Sequence, residues 1–179
     1  MEYKLKTISK SGIEAALSKA QLYRCLNEPE EAESICQDIL ASDSENQAAL
    51  RLLGLAITDQ FAGQLSDRYP EAESAFNALT DSYKRAYYLG ILSERRAKAQ
   101  FQVGRPPHVW VPLFQQAMKH FETAESLKPN DNEEAILRWN RCVRWLQTVP
   151  ESSTVESPRF EDEDTSPLEL ARPFGKSSR

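Results

Sequence analysis

The side chains best suited to chemistry in this chain are two histidines, three cysteines, a run of glutamates and a short basic block. A metal site needs ligands a few residues apart, as in HExxH or CxxC, and neither motif occurs around His108 or His120. His120, beside Phe121, reads as a surface or half-buried helix residue. Cys25, Cys36 and Cys142 are odd in number and form no close pair. Each falls on an apolar helical position, so they are expected to be buried free thiols, not a disulfide framework or a metal knuckle. The 6 glycines never group as GxGxxG or GxxxxGK, so no phosphate cradle is present. Glu28, Glu30, Glu31 and Glu33 crowd a helix start, where acidic groups complement the positive helix end. Arg95-Arg96-Ala97-Lys98, with Lys84 and Arg85, could hold phosphate, but without interleaved aromatics the block reads as a solvated helix face. No catalytic residue, cofactor-binding residue or metal ligand is therefore assigned, and the chain is not expected to be an enzyme.

These side chains must be positioned by helices. From Gly12 to about Gln147 apolar residues recur with helical period, broken at Asn27-Glu28-Pro29, Ser42-Asp43-Ser44, 67–70, Thr80-Asp81-Ser82, 103–107 and 128–132. No segment alternates like a strand. Pro29 and Pro70 precede Glu-rich stretches and suit a first helical turn, where a missing N–H costs nothing. Asp81 or Ser82, and Asn130-Asp131-Asn132 ahead of Glu133-Glu134, supply further start signals. Seven helices are predicted, at about 13–26, 30–41, 46–63, 71–80, 82–102, 110–127 and 132–147.

The organisation that follows is an N-terminal extension over 1–11, a helical domain over 12–149 and a tail over 150–179. The tail holds four prolines and seven acidic against four basic residues, a disordered composition. It carries -3 of the net charge of -5, which leaves the remainder near -2. With a pI of about 5.2, a general attraction to nucleic acid or anionic membrane is not expected. The start of the chain lacks the apolar run of a signal peptide, and no run of about 18 apolar residues occurs. A soluble, cytoplasmic protein without membrane insertion is the expectation.

The helices share an internal pattern. Leu50-x2-Leu53-Gly54-x2-Ile57 and Ala86-x2-Leu89-Gly90-x2-Ser93 place a small residue among large ones, and Ala16, Ala20 and Tyr23 form a weaker copy. Ala32-x3-Cys36, Ala72-x3-Phe76 and Ala117-x3-Phe121 form a second pattern, best developed from Ala117 to Pro129. Together these resemble the two helices of a tetratricopeptide repeat, over roughly residues 12–147. The resemblance implies an all-α fold of about three antiparallel helix pairs stacked as an α-solenoid, with Ala135 to Trp145 as a C-terminal capping helix. Its physical basis is packing: small Ala20, Gly54 and Gly90 let helices approach, and the residue four after each alanine fills the gap. The spacing departs from the ideal, since Ala32 to Ala72 spans 40 residues and Ala72 to Ala117 spans 45 against the 34 of the family.

Members of that family bind peptides on a concave face lined by the first helix of each pair. Carried over, the lining is Leu17, Gln21 and Arg24, then Arg51, Leu55 and Thr58, then Tyr87, Ile91 and Arg95. The mixture of apolar and cationic groups fits a protein or peptide partner bearing acidic and apolar residues. The Lys and Asn set of chaperone-binding members is absent. The expected function is a protein-interaction module or adaptor; the alternative is a small acidic chaperone that holds one client, such as a secretion substrate. The tail, through Phe160-Glu161-Asp162-Glu163-Asp164, carries groups that the same lining would accept, so an intramolecular contact stands beside the plainer reading of a solvated tail.

Overall fold

A computed structural model describes residues 2–61 and 68–148; the tail expected over 150–179 lies outside the described residues. Among the described residues the chain is all-helical: α1 (Ile13–Cys25), α2 (Pro29–Ser42), α3 (Gln47–Asp59), α4 (Tyr69–Asn77), α5 (Ser82–Gln102), α6 (Pro107–Ser126) and α7 (Glu134–Leu146). A 3-10 turn, Lys10–Gly12, leads into α1.

The helix starts have identifiable causes. Asn46 accepts a hydrogen bond from the Ala49 amide at 3.0 Å and caps α3, and Asp81 accepts one from the Lys84 amide at 3.0 Å and caps α5. Proline occupies the first turn of α2, α4 and α6. Pro107, expected as part of a break, is instead the first residue of α6, because its fixed φ already suits a helix. Among the described residues three turns use left-handed residues: Asn27 (φ 61°) between α1 and α2, Gly104 (φ 75°) between α5 and α6, and Asp131 (φ 64°) between α6 and α7. The third helix ends at Asp59, short of the expected 63.

Each helix packs on the next in sequence, and α1 also meets α3 and α3 also meets α5. α5 and α7 meet through the edge-on Phe101 and Trp145 rings, 4.9 Å apart, and through Arg138 and Glu94. The odd-numbered helices thus form one row. Behind them Arg68, at the start of α4, binds Glu33 of α2 at 2.7 Å.

Within each of the last two pairs, the close approach rests on a glycine. A Cβ on Gly54 would lie 2.4–2.8 Å from the Phe76 ring of α4, and one on Gly90 would lie 2.5–2.9 Å from the Phe121 ring of α6. Both rings are fully buried. In α1 and α2 the smaller Ala20 and Cys36 belong to one buried cluster with Ala32, Leu52 and Ala56. The principal core runs from α3 to α7 and ends on Trp139, Trp145 and Leu146.

Burial pushes the Cys36 and Cys142 thiols up to about 12, which makes both unreactive. Cys25 departs from expectation and is exposed. It lies between Leu22 and Leu26, 50% and 56% exposed, on a side of the first helix that no other described helix covers.

Candidate interaction surface

The nine residues expected to line a binding face separate into two sets. Leu55, Tyr87 and Ile91 are core residues, at 8%, 9% and 2% exposure, and this corrects their expected role as surface lining. Leu55 and Ile91 fall where helices α3 and α5 meet, so their side chains fill the space beneath the face. Tyr87 turns toward α7: it stacks on Tyr83 at 5.9 Å, leans on Phe121 and faces Arg138, and burial raises its pKa. Thr58 is also buried, but its hydroxyl works in a surface network. Leu17 is half-buried against the first-pair cluster, and Gln21 is exposed.

Arg24, Thr58 and Arg95 are brought together from α1, α3 and α5. The residue that joins them is Asp59, which the sequence reading did not single out. Arg24 donates through Nε to Asp59 Oδ2 at 2.7 Å, and Arg95 reaches Asp59 Oδ1 at 2.5 Å. Arg95 Nη1 also donates to the Leu55 carbonyl at 3.1 Å and to Thr58 Oγ1 at 2.5 Å. Burial pulls the Arg95 pKa down, while Asp59 opposes that shift. One carboxylate therefore holds two guanidiniums in place.

The same ratio recurs one helix further along. Glu94, 1% exposed, is bound by Lys98 of its own helix and by Arg138 of α7 at 3.5 Å. A lone ionised carboxylate at such a depth is costly, so the two cations are what allow it there. Near the other end of the row, Arg51 Nη1 donates to the Tyr88 hydroxyl at 3.5 Å. The aromatic partner of Arg51 is thus Tyr88, not Tyr87. The sequence held a signal for this: Tyr88 lies seven residues before Arg95, hence on the same helical face.

No family model and no curated protein matches this chain. Its charges divide between the two sets of helices. Within their bounds α1, α3, α5 and α7 hold 11 Lys and Arg against 4 Asp and Glu, a net of +7; α2, α4 and α6 hold 1 Lys against 8 acids, a net of -7. Some of the cations are occupied elsewhere, since Arg96 covers the Tyr69 ring at 4.4 Å and Arg85 donates to the Leu79 carbonyl. Those that remain on the odd row outnumber their carboxylates. Among the described residues no group of three or more His, Cys, Asp or Glu could hold a metal ion, and no helix is long and apolar enough to cross a membrane.

Proposed function

We propose that this chain is a protein-interaction module that binds an acidic segment, with some apolar residues, across the row formed by α1, α3, α5 and α7. The observation that carries this reading is the division of charge between the two sets of helices, +7 against -7. Cationic rows attract and orient acidic partners, raising encounter rates more than final affinity. The cations are also held: Arg24 and Arg95 by Asp59, Lys98 and Arg138 by Glu94. A partner would not need to immobilise them, which reduces the entropic cost of binding.

The tetratricopeptide-type, solenoid reading of the fold is supported by Gly54 beneath Phe76 and Gly90 beneath Phe121, the small-to-large contacts that such a repeat requires. In that reading α7 caps the third pair.

A charge-reversal experiment tests the function. Gln21→Glu, Lys84→Glu and Arg144→Glu change exposed residues of α1, α5 and α7, and the control Glu30→Lys with Glu31→Lys changes exposed residues of α2. The triple variant is expected to lose capture of the native partner, measured by affinity purification with quantitative mass spectrometry, while the α2 control retains it. Equal capture by both variants would refute a binding role for the odd row.

A further inference from the structure

The seam between α3 and α5 has a hollow at each end. The first, of about 380 Å³, is lined by Gln47, Arg51, Lys84 and Tyr88, with Asp81 at its edge. The second, of about 200 Å³, is lined by Thr58, Asp59, Arg95, Lys98 and Gln102. Arg51 and Thr58 are seven residues apart on α3, and Tyr88 and Arg95 are seven apart on α5. Two helical turns, about 10 Å, therefore separate the hollows. Between them Leu55 and Ile91 close off the core.

Among the described residues, each hollow holds one cation more than its carboxylates neutralise. At the first, Arg51 and Lys84 face Asp81. At the second, Arg95 and Lys98 line the hollow with Asp59. The excess is localised at two points and not spread evenly along the seam. Three acceptors from α3 fix Arg95, and the Tyr88 hydroxyl steadies Arg51, so both points are ready before a ligand arrives.

We infer that the α3–α5 seam seats an acidic helical segment of a partner protein whose two carboxylates are seven residues apart. This rests on the odd row being the binding face and specifies its ligand. Residues i and i+7 of a helix lie about 10 Å apart on one face, which matches the separation of the hollows. An extended strand covers about 10 Å in three residues, but its side chains at i and i+3 point to opposite faces, so only one could reach the seam. Residues i+3 and i+4 of the bound helix would lie over the stretch between the hollows.

Labelled helical peptides of Ala, Gln and Leu, with blocked ends, provide the test. One carries two Glu at i and i+7, one carries them at i and i+5 on different faces, and one carries a single Glu; circular dichroism matches their helicity. By fluorescence anisotropy the i, i+7 peptide is expected to bind about fivefold more tightly than the i, i+5 peptide, the value of one partly exposed ion pair. Lys84→Glu at the first hollow and Gln102→Glu at the second change exposed side chains, and each should abolish that preference while leaving the melting temperature unchanged. Equal binding of the two spacings overturns the two-point seat and leaves the cationic row as the binding face. Failure of every acidic peptide to bind the unaltered protein overturns both.

Discussion

At the scale of single residues, two glycines and one glutamate carry the most specific consequences. Replacing a helical glycine by alanine ordinarily adds about 1 kcal/mol of helix stability. At Gly54 and Gly90 the new methyl group would lie under 3 Å from a fully buried ring that has no free side to move into, and such overpacking costs about 1–3 kcal/mol. Gly54→Ala and Gly90→Ala are therefore expected to lower stability in urea melts; an increase for either would mean that its ring yields readily. Glu33 links two pairs, since its carboxylate binds Arg68 at 2.7 Å and accepts from Gln60 at 2.7 Å. Hydrogen bonding from Arg68 outweighs burial and holds its pKa below the ordinary 4.5. A lowered pKa stabilises the fold above 4.5, and that contribution disappears as the pH falls through the lowered value. Glu33→Gln should thus destabilise the protein at pH 7, with the gap to wild type narrowing below about pH 4.5 in thermal melts; a gap that is constant with pH would exclude the ion pair as its source.

Among the elements, α7 adds its own buried and aromatic residues to the principal core. Trp145 stacks on Phe114 at 5.6 Å and meets Phe101 edge-on, while Ala135 and Cys142, two turns apart, are fully covered. Ending the chain at residue 131 would uncover that aromatic group and strip Arg138 from the buried Glu94. The fragment is expected to aggregate or melt without cooperativity, checked by light scattering and differential scanning calorimetry; a soluble, monomeric, cooperatively melting fragment would count against a sealing role. The helices themselves were legible in the sequence, because Asp81 and the prolines Pro29 and Pro70 announce starts by local chemistry. The small Gly54 and Gly90 and the large Phe76 and Phe121 were legible as two patterns, but that each ring lies against the glycine of the preceding helix was not. Tyr88 and Asp59 were not found, because the rotation of α5 about its axis and the meeting of three helices at one carboxylate depend on tertiary packing that no local spacing records. A one-residue error on a helix turns a side chain by about 100°, enough to send Tyr87 into the core and leave Tyr88 beside Arg51.

For the molecule as a whole, charge segregation sets how it meets other bodies in solution. Exposed charges are screened within about 8 Å at physiological ionic strength. Association with an acidic partner is therefore expected to slow markedly between 50 and 300 mM salt in stopped-flow measurements, with dissociation changing less; a rate independent of salt would remove electrostatic steering from the account. Within their bounds the helices sum to zero net charge, and with each set's net charge placed on its helix axes, seven elementary charges of each sign stand about one interhelical spacing of 10 Å apart. That separation amounts to a dipole moment on the order of 300 debye, equal to about ninety peptide units of about 3.5 D aligned head to tail. A body so polarised experiences a torque in the field of any charged neighbour and turns before it touches. In dilute buffer it should also orient its own copies, front to back, and a dielectric relaxation measurement would register that alignment as an amplitude which collapses on addition of salt.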